Sequence, residues 1–129
     1  MAEFAKQIAA VEKGMAKELH VGNLEVVRDL LDVRDGIRAM WLVAQAGKSG
    51  ETYNICSRMG HAVGSILHQL IALASVSVPV RNDPARWRPL DIPVIIGDNT
   101  KIRALGWQAE IPLAETLRQV LQYWRQAPA

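Results

Sequence analysis

The sequence predicts an α/β domain, and three observations predict it. Four segments carry apolar residues at helical spacing, short β-prone runs lie between them, and 129 residues at 50% hydrophobic and 22% charged make about one ordinary core. Such a chain is too apolar for a disordered tail. No repeat, linker or low-complexity stretch divides it, so residues 1–129 read as a single domain.

The elements follow in order. Phe4, Ile8 and Val11 recur at helical spacing up to Gly14, which predicts a helix over residues 3–14 with a left-handed glycine cap. Leu19–Val21, closing on Gly22-Asn23, and Arg28–Val33 read as short strands. Over Arg34–Ala46 the set Ile37, Met40, Trp41 and Ala44 marks a helix face closed by Gly47, with Met40 and Trp41 expected in the core. Thr52–Cys56 is β-prone and predicts a strand before the helix whose face carries Val63, Ile66, Leu67, Leu70, Ile71 and Ala74. Val76, Val78 and Val80 alternate with Ser77 and Pro79, an edge strand, since proline donates no ladder hydrogen bond. The arm from Arg81 to Pro93 holds Pro84, Pro89 and Pro93 with Arg81, Arg86 and Arg88, and reads as a positively charged loop. Asp98-Asn99-Thr100 supplies N-cap chemistry for a short helix that Gly106 ends. Pro112 opens the last helix, with Leu113, Leu117, Val120, Leu121 and Trp124 as its buried stripe.

Composition excludes several function classes. A net charge of +2 falls far short of a chain held to nucleic acid by phosphate neutralisation. One aromatic, Trp87, among Arg81, Arg86 and Arg88 makes only a short platform for single strands. The longest apolar stretches are broken by His68 and Gln69, so no membrane span is expected, and the start lacks the order of a secretory signal. The single cysteine, Cys56, has no internal partner and suits a reducing, cytoplasmic setting. It reads as a small hydrophobe rather than a nucleophile, and no residue of the chain is assigned a catalytic role. Gly47-Lys48-Ser49 imitates the end of a phosphate-binding loop, but Leu42 stands where that motif needs glycine, at the repelling C-terminus of a helix. His20, His61, His68 and Cys56 lack the short spacing of a zinc site, so no metal is expected. From composition alone, Arg81, Arg86 and Arg88 read as a solvated loop, salt-bridged to Asp83 and Asp91.

An ordered series of motifs adds a family. Val21-Gly22-Asn23-Leu24, then Arg28-Asp29, then Asp32-Val33-Arg34-Asp35 resembles the extended short-chain dehydrogenase/reductases acting on nucleotide sugars. The narrower resemblance is to GDP-mannose 4,6-dehydratase and GDP-4-keto-6-deoxymannose reductase. Tyr53-Asn54-Ile55-Cys56-Ser57, the run Arg88 to Pro93, and Gly97-Asp98-Asn99 leading to Leu105-Gly106-Trp107 continue it over nearly the whole chain. Such enzymes bind NADP(H) on a glycine-rich turn of a Rossmann domain and move protons with a Tyr-x-x-x-Lys pair. Neither motif is here, for Ser57 follows Tyr53 at that spacing and Ala127 follows Tyr123. The resemblance therefore implies the small C-terminal, substrate-binding part of such an enzyme, without the Rossmann core, and no turnover of its own. It implies that Arg28 and Arg88 clamp the substrate pyrophosphate, that Asp91 accepts from ribose hydroxyls, and that Asn23 and Leu24 lie near the nucleotide end. Guanidinium forks suit phosphate oxygens in pairs, and a carboxylate suits a diol. It implies no cofactor on this chain and NADP on the Rossmann part, with hydride transfer at sugar C4 in the intact enzyme. The partners implied are a GDP-sugar and the Rossmann half. The alternative is a stand-alone interaction module with no nucleotide-sugar role, which uses its apolar face for self-association or for a partner protein.

Overall fold

A computed structural model of the chain describes residues 1–87 and 92–128. Arg88 and Asp91, both expected in the site, lie outside the described residues together with Pro89, Leu90 and Ala129. In chain order the elements are α1 (Ala2–Glu12), β1 (Leu19–Val21), β2 (Val27–Asp29), α2 (Val33–Ala46), β3 (Gly60–Ala62), α3 (Val63–Ala72), β4 (Val80–Asn82), β5 (Val94–Ile95), α4 (Thr100–Arg103) and α5 (Leu113–Gln126). A 3-10 turn, Pro84–Arg86, follows β4. β1 pairs in parallel with β4, Leu19 opposite Val80, while β2 lies between antiparallel β3 and parallel β5. Among the described residues no helix is long and apolar enough to cross a membrane.

The main core lies where α1, α3 and α5 meet β1. Ala5 and Ile8 of α1, Leu19 and Val21 of β1, Ile66, Leu67 and Leu70 of α3, and Leu117 and Leu121 of α5 are all buried in one cluster. Each large aliphatic side chain so buried contributes about 1.5 to 3 kcal/mol of transfer free energy. Phe4, Val11, Val120 and Trp124 pack on its margin, so the stripes read for the first and last helices meet each other. α1 ends as its glycine predicts: Gly14 has φ +70°, its N–H donates to the Val11 carbonyl, and the Met15 N–H donates to that of Ala10. Glu12, at the end of α1, receives both arms of the Arg125 fork at 2.6 and 2.7 Å, and Arg125 also donates to the Leu73 carbonyl. The fork holds the Glu12 carboxyl down at about 2.

α2 departs from expectation. Ile37, Met40 and Trp41 are 60, 64 and 67% exposed, and Ala44 is exposed as well, so the apolar stripe faces away from the core it was expected to join. Periodicity identifies an apolar face but not what covers it. The inward face holds fully buried Asp35 and Ala39, packed with Ile102 and Trp107 in a second, smaller cluster. Polar bonds seat the helix there. Asp35 Oδ2 accepts the Glu110 and Ile111 N–H groups at 3.0 Å each, its Oδ1 accepts from Arg38, and its carbonyl accepts the Trp107 indole N–H. Asp32 caps the helix by accepting from the Arg34 N–H, and holds α5 through the Thr116 hydroxyl at 2.7 Å. Gly47 closes α2 with φ −70°; glycine is needed because a Cβ there would run into the Val43 carbonyl.

The strands also differ. Thr52–Cys56 forms no ladder; side-chain amides hold it, Asn54 donating to the Asp98 carbonyl and Asn99 to that of Cys56. The strand read over Arg28–Val33 is confined to Val27–Asp29, because Asp32 is taken by the α2 cap. Of the alternating valines only Val80 enters β4, while Val78 turns into the core.

Candidate functional site

Two of the expected site residues come together where β1 ends. Gly22 must be glycine here, since a Cβ would stand 2.5 Å from the Arg86 carbonyl oxygen, and this approach seats the 3-10 turn against β1. The chain then turns on Asn23, whose side-chain oxygen accepts the Glu25 N–H at 2.9 Å. The Leu24 carbonyl accepts the Gly64 N–H at 2.9 Å, which fixes the loop to the start of α3. Opposite this loop stand Val80 and Asn82 of β4 and, beyond the turn, Trp87. Together they enclose a recess of about 400 Å³, lined by Asn23, Leu24, Glu25, Val80, Asn82 and Trp87. That volume lies within the usual range of small-molecule sites.

Arg28 lies on β2, outside the lining of that recess. One of its guanidinium nitrogens donates to the Ile92 carbonyl at 2.8 Å and to that of Val27 at 2.9 Å. The Val27 N–H donates to the Pro93 carbonyl at 2.7 Å, so residues 92 and 93 are tied to β2 beside Arg28. Of the two described neighbours of the 88–91 run, Trp87 thus lines the Asn23–Leu24 recess and Ile92 touches Arg28.

Asp29 organises the far end of β2. Its carboxylate accepts the Ser57 N–H (2.8 Å) and hydroxyl (2.5 Å), the Arg58 N–H (2.9 Å) and the Gly97 N–H (3.2 Å). Four donors on one carboxylate draw two segments onto the strand, and Arg58 takes φ +65° to present its N–H, a costly conformation for a residue with a Cβ. Apart from the Arg28-Asp29 motif, no sequence signal separates this Asp from an exposed one. Cys56 is half-buried beside it; burial and then the Asp29 charge push its thiol up, away from thiolate chemistry. The loop arginines that are described have internal partners: Arg81 pairs with Glu18, and Arg86 with Glu3 and Asp83. Asp32 and Asp35, whose motif carries part of the family resemblance, are structural: Asp32 caps α2, and Asp35 ties that helix to the Glu110 and Ile111 backbone.

The described residues do not fit a dinucleotide. A dinucleotide bound in the Rossmann manner rests its pyrophosphate on a glycine-rich strand-to-helix turn open at a helix N-terminus. Among the described residues β1 runs on into β2 without a helix, β3 passes directly into α3, the N-terminus after β2 is filled by the Asp32 carboxylate, and the turn after β5 opens only the four-residue α4, whose Thr100 N–H is taken by Asp98.

Comparisons with known proteins agree with this division. Residues 1–120 match the family model for GDP-mannose 4,6 dehydratase. The GDP-6-deoxy-D-mannose reductase of Pseudomonas aeruginosa is 32% identical over 126 residues, covering 96% of this chain and 41% of the relative. The GDP-mannose 4,6-dehydratase of Sinorhizobium fredii is 24% identical over 147 residues, covering 95% and 42%. Among solved structures, RMD from Pseudomonas aeruginosa complexed with NADPH matches with a TM-score of 0.87 at 31% identity, over 96% of this chain and 41% of that one. The UDP-glucose 4-epimerase of Thermotoga maritima with UDP-glucose matches with a TM-score of 0.76 at 28% identity, over 95% and 38%. The chain thus spans about two-fifths of the length of these relatives, their C-terminal part.

Proposed function

The chain belongs to the GDP-mannose 4,6 dehydratase family, and from that premise we propose that it is the substrate-recognition part of a cytoplasmic, NADP-dependent enzyme acting on GDP-sugars. The enzyme is a dehydratase or a related 4-keto-sugar reductase. This part performs no chemistry alone, because without a nicotinamide there is no hydride carrier. Asn23, Leu24, Arg28, Arg88 and Asp91 are its substrate-binding residues, with the two arginines on the pyrophosphate and Asp91 on the ribose. The observation that carries the reading is the closure between β1 and β2: the Asn23–Leu24 recess ends on Trp87, and Arg28 bonds Ile92. Each charge-assisted hydrogen bond to phosphate is worth about 1.5 to 3 kcal/mol, against an association cost of about 4 to 15. The chain alone therefore binds GDP weakly.

The exposed face of α2 supports a protein partner for this part, and the cofactor-binding part of the enzyme is the one proposed. Self-association through the same face is the second reading. The test mixes the chain with the separately expressed cofactor-binding part of the Pseudomonas aeruginosa reductase. The expected result is a heterodimer on size exclusion and NADPH-dependent turnover of a GDP-4-keto sugar. In that assembly Arg28→Ala raises the substrate KM at least tenfold and leaves NADP affinity unchanged. Two parts that never associate, with no GDP-sugar restoring activity, overturn the reading, and a homodimer in their place supports the second.

A further inference from the structure

The recess beside Asn23 contains two side chains that neither the pyrophosphate nor the ribose uses. Trp87 is half exposed, yet it is held: its indole N–H donates to Asn82 Oδ1 at 2.9 Å, and Asn82 sits on β4 in register with Val21. With that N–H satisfied, the ring offers the recess an apolar π surface, and Leu24 and Val80 line the same space. Glu25 also lines it, and among the described residues its carboxylate takes no hydrogen bond or ion pair. A flat apolar ring, aliphatic walls and one spare carboxylate form an acceptor site for a planar heterocycle that carries adjacent N–H donors.

We propose that Trp87 and Glu25 seat and select the base of the nucleotide, Trp87 by stacking on it and Glu25 by accepting two N–H groups from its edge; the inference rests on the GDP-sugar reading above. Guanine presents N1–H and the exocyclic amine side by side, and the two oxygens of a carboxylate accept both. Uracil and thymine offer one N–H between two carbonyls, so the same carboxylate meets one donor and two repelling oxygens. The pair thus specifies guanine over a pyrimidine, and it leaves the pyrophosphate to the arginines. Both residues are specificity determinants, remote from the reacting sugar.

The test titrates the ¹⁵N-labelled chain with GDP, UDP and inorganic pyrophosphate up to millimolar concentration, reading affinities from amide and indole shifts. GDP is expected to move the Trp87 indole resonance, identified by its loss in Trp87→Phe, and to bind at least fivefold more tightly than UDP. Trp87→Ala should weaken GDP about tenfold, as loss of a stacking platform does, and leave pyrophosphate unaffected. Trp87→Phe should restore most of that loss, and Glu25→Gln should erase the preference for GDP over UDP. If GDP and UDP bind alike and neither variant changes them, the inference falls while the GDP-sugar reading stands. If neither GDP nor pyrophosphate binds at any concentration, that reading falls and takes this inference with it.

Discussion

The α1–α3–α5 side and the α2 side of the molecule solve the same problem in opposite ways. On the first, each amphipathic helix lays its apolar stripe on another, and Ile8, Leu70, Leu117 and Leu121 end fully or almost fully buried. On the second, a helix of equal length to α5 turns Ile37, Met40 and Trp41 to solvent and buries a carboxylate, Asp35. The first side is held by removal of apolar surface from water, the second by hydrogen bonds whose donors would otherwise be orphaned. A helix seated by polar bonds keeps its apolar face available, which is what a docking element needs.

The comparison breaks first at an ion pair deep on the sealed side. Glu12 is 8% exposed, and Arg125→Ala would leave it without a counter-charge, with an expected cost of about 3 to 5 kcal/mol in denaturant unfolding at pH 7. An effect under 1 kcal/mol would move the pair to the solvated class.

The same pair predicts a pH dependence. The Glu12 carboxyl lies at about 2 in the folded chain against an ordinary 4.5. A depressed carboxyl contributes its full stability above the unfolded value and loses it as pH falls toward the folded one. At about 1.4 kcal/mol per tenfold in acidity the contribution is about 3 kcal/mol, present above pH 4.5 and gone near pH 2. Melting curves of the wild type and Arg125→Ala should therefore converge between these pH values, and parallel curves would assign the loss to packing alone.

What could be read in the sequence divides along the same line. The helices bounded by Gly14 and Pro112, and the face of Ile66, Leu67 and Leu70, were legible because local chemistry and burial point the same way there. β3 was illegible: Gly60-His61-Ala62 has no strand propensity, and its pairing with β2 is set by a partner more than thirty residues away in sequence. Thr52–Cys56 has the propensity but finds side-chain amides first. Of the candidate site, Asn23, Leu24 and Arg28 were legible only as a motif. Trp87 takes its place through a contact five residues back across a turn, and Asp29 through contacts 28 residues and more away, neither of which composition encodes. The exposure of α2 was illegible for a different reason, since periodicity marks an apolar face and not what lies against it.

On the α2 side the next effect is smaller. Asp35→Asn keeps the shape but turns an amide N–H toward donors at one of its two oxygens, so the contact with Glu110 and Ile111 or that with Arg38 is lost. About 2 kcal/mol is expected, read as a lower denaturation midpoint with an unchanged slope. No change at all would mean that apolar packing around Ile102 and Trp107 suffices to seat the helix.

The smallest effect on stability is the sharpest test of the contrast. Trp41 is two-thirds exposed, so Trp41→Ser should change the folding free energy by no more than about 0.5 kcal/mol, the usual range for an exposed position. Its effect on docking should be the reverse, because a tryptophan at the centre of an apolar face is the residue type that most often anchors an interface. Heterodimer formation with the cofactor-binding part should therefore weaken at least tenfold while the melting temperature of the isolated chain holds. A loss of 2 kcal/mol or more in that chain would mean that the α2 stripe is already covered, and the two sides of the molecule would then obey one rule.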